Sequence, residues 1–267
     1  MSAPTTMTAS PASPSPAVGL AGKIALVTGG SRGIGRAIAL KLGAAGAFVV
    51  VHCNQGIEAA QAVVAEIAHA GGKACVIACD LSEQGAAKRL FAELDIELLG
   101  RFQSTAFDML VNNAGIIKRE PIEDVLEETF DQTIQVNLKA PFFLIQEGLL
   151  RMRDGGRIIN ISSMGTRVAF PAMAAYAPAK AGLEALTTLL AAHLGPRRIT
   201  VNAVLPGLTA TDMNPMEEGA QARALPTIAL GRLGQPDDIA SVVAFLASDA
   251  GGWVTAQRIE VSGGQRI

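Results

Sequence analysis

The chain reads as one doubly wound α/β domain, a parallel seven-stranded sheet with helices on both faces. Three observations carry that expectation. Short, near-continuous apolar runs recur from Ile24 to Val261, the pattern of strands buried on both faces. Stretches with helical apolar spacing separate them, so the strands are joined by crossovers and not by hairpins. The first run, Ile24-Ala25-Leu26-Val27, passes through a glycine turn directly into an amphipathic helix.

That turn reads Thr28-Gly29-Gly30-Ser31-Arg32-Gly33-Ile34-Gly35. Glycines 29, 33 and 35 permit the tight reversal, let backbone amides approach a pyrophosphate, and bring the helix close to the sheet. The helix N-terminus adds unpaired N–H donors and a positive dipole end. A dinucleotide site is the functional reading of this Rossmann-type start, and an ordinary βα turn is the alternative. Ala47–His52 is a second strand, and Gly56–Ala70 has helical spacing that stops at Gly71-Gly72. Lys73–Cys79 is a third strand ending in Asp80, Glu83 to about Leu99 is helical, and Arg101–Ala106 is a connection. Phe107–Val111 is a fourth strand that runs into Asn112-Asn113-Ala114-Gly115. A long helical region is expected from about Ile122 to Met152, then a strand at Arg157–Ile161 and a helix at Ala174–Leu194. Ile199–Leu205 is a sixth strand closed by Pro206-Gly207, and Leu208–Leu230 has weak periodicity. Pro236-Asp237-Asp238 opens a helix to about Ser248, with proline in the first turn and acids at the positive end; Arg258–Val261 is the last strand.

Composition narrows the function. With 49% hydrophobic residues and a net charge of −2, the chain can bury a large core and has no basic run for nucleic acid. No apolar run is long enough to cross a bilayer. Residues 1–17 are a Ser/Thr/Pro/Ala tail without the basic start and apolar centre of a signal peptide, so a disordered tail, a single domain over 18–267 and a cytoplasmic location are expected. Cys53, Cys75 and Cys79 are odd in number and match no zinc spacing even with His52 beside them, so free thiols and no metal are expected.

In a sheet of this kind the ligand lies beyond the carboxyl ends of the strands. Asp80, the Asn112 turn, Ser162-Ser163 and the Thr209–Asp212 region all follow strands. Tyr176 and Lys180 are four apart, on one helix face. Positive charge beside a phenol lowers its pKa from about 10 toward the range where it exchanges protons with an alcohol oxygen. Ser163 precedes Tyr176 by thirteen positions, where its hydroxyl can polarise a carbonyl. The second strand ends His52-Cys53-Asn54 without the acid that holds a ribose 2′-OH, and Arg32 is placed to pair with a 2′-phosphate. NADPH is therefore the expected cofactor.

From about Ala21 to Gly264 the chain resembles the short-chain dehydrogenases/reductases, whose 3-oxoacyl-thioester reductases look most similar. The glycine turn, Asp80, the Asn112 turn, Asn137, Ser163, Tyr176, Lys180, Pro206-Gly207 and Thr211 carry the resemblance. It implies hydride transfer between a nicotinamide and a ketone or 3-oxoacyl carbonyl, giving a secondary alcohol. Tyr176 exchanges the proton, Lys180 lowers its pKa and holds the ribose, Ser163 binds the substrate oxygen, and Asn137 completes a water-linked relay. The implied NADPH/NADP+ groove runs along Gly29, Ser31, Arg32, Gly33, Ile34 and Gly35, past His52 and Asn54, then Asp80 and Leu81 at the adenine. It continues by Asn112, Ala114 and Gly115 to Tyr176 and Lys180, closed by Pro206, Gly207, Thr209 and Thr211. Two positions depart from the family pattern: Thr255-Ala256 stands for Thr-Gly, and Ser262 for an Asp. The enoyl-reductase branch spaces its tyrosine and lysine more widely, which disfavours C=C reduction here. An NAD-dependent secondary alcohol dehydrogenase and, in a different class, a non-catalytic nucleotide sensor are the alternatives.

Met164, Val168, Phe170, Met173, Met213 and Met216 are candidate walls for an apolar carbonyl compound, and an acyl thioester is a further possibility. Arg151, Arg153 and Arg197 are either a docking face for an acidic carrier or a solvated face. Pro141 has no N–H to give the Asn137 carbonyl, so that carbonyl is expected free to hold a relay water and the helix to bend. In the family the helices of the Ile122–Met152 and Ala174–Leu194 regions form a dimer bundle, which implies a homotetramer.

Overall fold

The computed structural model describes residues 19–213 and 218–266. The expected tail and Met216 lie outside them. Seven strands, β1 (Ile24–Val27), β2 (Phe48–Cys53), β3 (Lys73–Ala78), β4 (Phe107–Asn112), β5 (Met152–Ile161), β6 (Thr200–Pro206) and β7 (Arg258–Val261), form one sheet in the order β3-β2-β1-β4-β5-β6-β7. All six pairings are parallel, as expected. The order reverses between β1 and β4, which opens a crevice at their carboxyl ends.

Alternate residues of the central strands feed two separate cores, which is why their sequences are mostly apolar. Leu26, Val50, Leu110, Ile158 and Val201 pack under α3 (Ala86–Phe102), α5 (Ala140–Gly148) and α6 (Tyr176–Leu194). Val27, Val51, Val111, Ile159 and Val204 pack under α1 (Gly33–Ala44), α2 (Ile57–His69) and α8 (Pro236–Ala247). The remaining helices are α4 (Glu127–Ile134) and the short α7 (Glu218–Ala224), the latter within the segment of weak periodicity.

The structure differs from the sequence reading in two places. The single long helix is replaced by a 3-10 turn at Ile122–Asp124, then α4, a π turn at Gln135–Lys139, and α5. In the π turn the Ala140 N–H reaches back to the Gln135 carbonyl, one residue further than an α-helix allows. Pro141, which cannot join the ladder, follows at once. The fifth strand starts at Met152, which pairs with Phe107 before Arg153–Gly156 interrupts the ladder and Arg157 resumes it against Met109. That interruption, with Gly155 left-handed at φ +77°, reads in sequence as a turn.

Ala256, where the family resemblance leads one to expect glycine, holds the left-handed φ of +60° that glycine favours. The turn geometry survives, at a cost of about 1 kcal/mol for the Cβ. Its N–H still donates to the Val201 carbonyl at 2.8 Å.

Candidate active site

Thr28 ends β1 and ties it to the turn after β4. Its hydroxyl donates to the Val111 carbonyl at 3.2 Å and accepts the Asn113 and Ala114 N–H groups, both at 3.0 Å. The Asn113 amide returns two bonds, to the Thr28 and Gly29 carbonyls at 2.9 and 3.1 Å. The glycine turn is thereby fastened to the crevice wall. Arg32 is the N-cap of α1, with no side-chain cap and no acid in the first turn, so the helix N-terminus keeps its positive end. Arg32 is exposed, and Gly33, left-handed at φ +53°, faces Thr211, whose side chain is 3.5 Å from where a Cβ would stand.

His52, expected to touch the cofactor, is buried with both ring nitrogens engaged. Nε2 donates to the Cys79 carbonyl at 2.9 Å, and Nδ1 accepts the Gly29 N–H at 3.2 Å. Burial holds its pKa at about 4, so the ring is neutral and pins the glycine turn to the end of β3. Asn54, exposed at the end of β2, shares a hydrogen bond with Asp80. The Asp80 carboxylate also accepts the Ser82 hydroxyl and N–H at 2.7 and 2.8 Å, and these bonds hold it below the usual range. Leu81 is buried beside it.

The second cluster sits where β5 meets α6. Tyr176 is buried within hydrogen-bond reach of the Ser163 hydroxyl, and Lys180 Nζ lies 5.7 Å from the centre of its ring. Nζ donates to the Ile161 carbonyl at 2.9 Å. Ser163 caps a 3-10 turn at Met164–Thr166, its Oγ accepting the Gly165 N–H at 3.0 Å. A side chain at Gly115 would come within 2.7 Å of Asn137 Oδ1 and 3.4 Å of Lys180 Nζ, so this glycine keeps the space between them open.

The Asn137 side chain is fully occupied. Its amide donates to the Ile116 and Thr133 carbonyls at 2.9 and 3.0 Å, and Oδ1 accepts the Ile116 N–H at 3.2 Å.

The electrostatics correct one expectation. Burial pushes Tyr176 up to about 12, against the smaller opposing effects of the Ser163 hydrogen bond and the Arg119 charge. Burial likewise lowers Lys180 to about 8. Desolvation outweighs the proximity of the pair, so the phenol holds its proton at neutral pH. The free protein therefore holds the proton that reduction consumes, on a phenol made a weaker acid by its burial.

Pro206 ends β6, and a Cβ on Gly207 would meet Ser262 at 2.7 Å, so the Ser262 position packs directly on this loop. Thr209 is buried, its hydroxyl donating to the Gly207 carbonyl at 3.0 Å. Gly165, beside Ser163, has Met173 and Phe170 around it at 3.0 and 3.9 Å from a built Cβ. The three arginines considered for carrier docking are occupied elsewhere: Arg151 pairs with Asp95, Arg153 with Asp108 and Arg197 with Asp154, at 2.7–2.8 Å. They lie at the amino ends of β4, β5 and β6, away from the crevice.

Sequence reasoning missed the tethers. Asn113, Glu184 and Thr187 were not singled out, and each bonds a partner far along the chain. A buried acid one turn after Lys180 in an Ala/Leu-rich helix was the available signal for Glu184.

Residues 29–266 match the family described as Enoyl-(Acyl carrier protein) reductase. Hydroxynaphthalene reductase-like protein Arp2 of Metarhizium brunneum (strain ARSEF 3297) is 40% identical over 261 residues, covering 92% of this chain and 95% of that protein. The crystal structure of the angucycline C-6 ketoreductase LanV with bound NADP is 45% identical, covers 92% of this chain and 96% of the other, and superposes with a TM-score of 0.89. LanV with NADP and rabelomycin gives 46% identity, coverage of 92% and 97%, and a TM-score of 0.87. With a parallel sheet of this order, the Ser163, Tyr176 and Lys180 cluster and these matches along nearly the whole chain, the protein belongs to the short-chain dehydrogenase/reductase family of oxidoreductases.

Proposed function

We propose that the chain is an NADPH-dependent ketoreductase that converts a ketone to a secondary alcohol. The observation that carries this reading is a protonated, buried Tyr176 hydrogen-bonded to Ser163, with Lys180 anchored beside its ring. NADPH, when bound, supplies the hydride. Ser163 donates its hydroxyl proton as a hydrogen bond to the substrate oxygen, and Tyr176 gives that oxygen its proton. Lys180 stabilises the phenolate that this leaves. With the Asn137 side chain occupied, its main-chain carbonyl is the group available to a water relay that restores the proton.

The residues present fit a dinucleotide. Glycines leave no side chain over the α1 N-terminus, and no acid competes for it. Gly29, Ser31, Gly33, Ile34 and Gly35 hold the pyrophosphate side, with Asp80 and Leu81 at the adenine. Ala114 and Gly115 would line the groove wall, with Asn112 buried behind them and its amide on Asn160 Oδ1 at 2.9 Å, and Pro206, Gly207, Thr209 and Thr211 would close the nicotinamide side. His52 acts through the turn it holds, while Asn54 and Arg32 face the ribose phosphate. LanV, crystallised with NADP, supports the choice of cofactor. We expect kcat/KM with NADPH to exceed that with NADH at least about tenfold, or about 1.4 kcal/mol. Steady-state assays on a ketone panel decide it, and equal values, or a preference that Arg32→Ala leaves unchanged, would sink the assignment.

Tyr176 is the single tyrosine of the chain, so ultraviolet difference absorbance follows its ionisation alone. The free protein is expected to titrate near 12. NADP+ places positive charge beside the phenol and favours phenolate, so binding should move the titration downward. A titration that NADP+ leaves in place would remove Tyr176 from the proton-transfer step.

Met164, Phe170 and Met173 around Ser163, and relatives named for hydroxynaphthalene reduction and crystallised with rabelomycin, favour a cyclic ketone on an apolar ring system over an acyl thioester. Exposed Phe130, Phe142, Phe143 and Leu189 on α4, α5 and α6 support assembly into a homotetramer. Among the described residues no helix is long and apolar enough to cross a membrane, and a cytoplasmic location is part of this proposal.

A further inference from the structure

The buried face of α6 carries more than Tyr176 and Lys180. Glu184 and Thr187 follow on the same face, and all four are directed at the end of β5. Lys180 bonds the Ile161 carbonyl, Thr187 accepts from the Asn160 amide at 2.9 Å, and Glu184 accepts from the Ser162 hydroxyl at 2.6 Å. Thr166, the last residue of the 3-10 turn, brings its hydroxyl to the same Glu184 oxygen, also at 2.6 Å. Glu184 is 4% exposed, and among the described residues no salt bridge reaches it. A carboxyl group buried without a cation is expensive. Joining helix to sheet does not require one, since Thr187 and Asn160 do so with neutral groups one turn further on.

What Glu184 does that Thr187 does not is grip the chain on both sides of Ser163. Ser162 immediately precedes it, and Thr166 closes the turn that it caps. The Thr166 hydroxyl has one proton and two acceptors in reach, the Ser163 carbonyl at 2.9 Å and Glu184 at 2.6 Å. Without Glu184 that proton turns to the Ser163 carbonyl, and the chain around Ser163 keeps only the long 3.5 Å bond from Ser162 to the Lys180 carbonyl in place of two short bonds to α6.

We propose that Glu184 is a positioning residue that sets the Ser163 hydroxyl against Tyr176 by clasping Ser162 and Thr166. The inference rests on the ketoreductase reading of the site.

The test compares Glu184→Leu, which removes the acceptor, with Glu184→Gln, which keeps an amide oxygen at the same reach, in ketone reduction with NADPH. Loss of two short hydrogen bonds is expected to lower kcat at least about tenfold in Glu184→Leu, with NADPH affinity unchanged, and Glu184→Gln should recover most of that loss. In a Ser163→Ala background Glu184→Leu should lower the residual rate by less than about twofold, because it acts through a hydroxyl already removed. Should Glu184→Leu fail to fold, Thr166→Val, at a half-buried position, tests the same clasp against the same Ser163→Ala background. A folded Glu184→Leu with full kcat, a Glu184→Gln as impaired as Glu184→Leu, or an undiminished effect after Ser163→Ala would each overturn the assignment while leaving the ketoreductase reading intact. Wild-type protein that binds NADPH and reduces no ketone would overturn that reading and this inference with it.

Discussion

Tyr176→Phe is expected to lower kcat for ketone reduction by about 10²–10⁴-fold, the range lost with a general acid. The substitution removes one oxygen and keeps the ring that packs at the start of α6, so the fold and NADPH binding should persist. The structure sharpens the reason. Burial keeps the phenol protonated at neutral pH, the state from which reduction starts. Ser163, whose Oγ accepts the Gly165 N–H, has the separate task of holding the substrate oxygen by a hydrogen bond. Steady-state rates, alongside cofactor binding followed by NADPH fluorescence, separate the two effects. A variant that keeps kcat within about threefold of wild type would place the proton donor elsewhere, since no general-acid contribution is that small.

Gly35→Ala is expected to be the most damaging change of a single methyl group. A Cβ there would stand 2.1 Å from the Gly29 carbonyl oxygen and 2.4 Å from the Asn113 side-chain nitrogen. Neither can give way cheaply. The Gly29 oxygen is backbone in the tight turn, and the Asn113 amide is already bonded to the Thr28 and Gly29 carbonyls. Relief requires α1 to lift from the sheet or the turn to open, and either one dismantles the phosphate cradle. Overpacking of this kind costs about 1–3 kcal/mol or more. Chemical denaturation should show that loss, and NADPH affinity should fall with it. Gly100→Ala in α3 is the control: a Cβ there meets nothing within 4 Å, and replacing a helical glycine should be neutral or stabilising by up to about 1 kcal/mol. Wild-type affinity and stability in Gly35→Ala would contradict the placement of the turn.

The sheet and the glycine turn were legible because their signals are local. Strands buried on both faces are apolar at most positions, and a βα reversal at a phosphate site is glycine-rich. Ser163, Tyr176 and Lys180 were singled out by the family resemblance, since a tyrosine and a lysine four apart are commonplace on a helix. What escaped was set by contacts between distant parts of the chain. His52 was taken for a cofactor contact because it ends a strand, yet the Gly29 N–H and the Cys79 carbonyl claim both its nitrogens. The break between α4 and α5 was expected at Pro141, but as a bend in one helix, whereas the ladder slips into a π turn around Asn137. The downward shift expected for Tyr176 counts both Lys180 and bound oxidised nicotinamide; in the free protein burial raises the phenol instead, a depth that sequence does not show. Arg151, Arg153 and Arg197, readable from sequence as a carrier face or as a solvated face, are paired with aspartates contributed by α3, β4 and β5.

The central claim is that this site delivers a hydride from NADPH to a ketone carbon. Incubation of the wild-type protein with a cyclic ketone and NADPH deuterated at the transferring nicotinamide carbon, followed by mass spectrometry of the product, tests it most directly. The expected product is a secondary alcohol with one deuterium on the former carbonyl carbon, formed at one equivalent per NADPH consumed. An alcohol free of deuterium, deuterium at a carbon beside the carbonyl with the ketone intact, or NADPH bound but never oxidised across the ketone panel would contradict it.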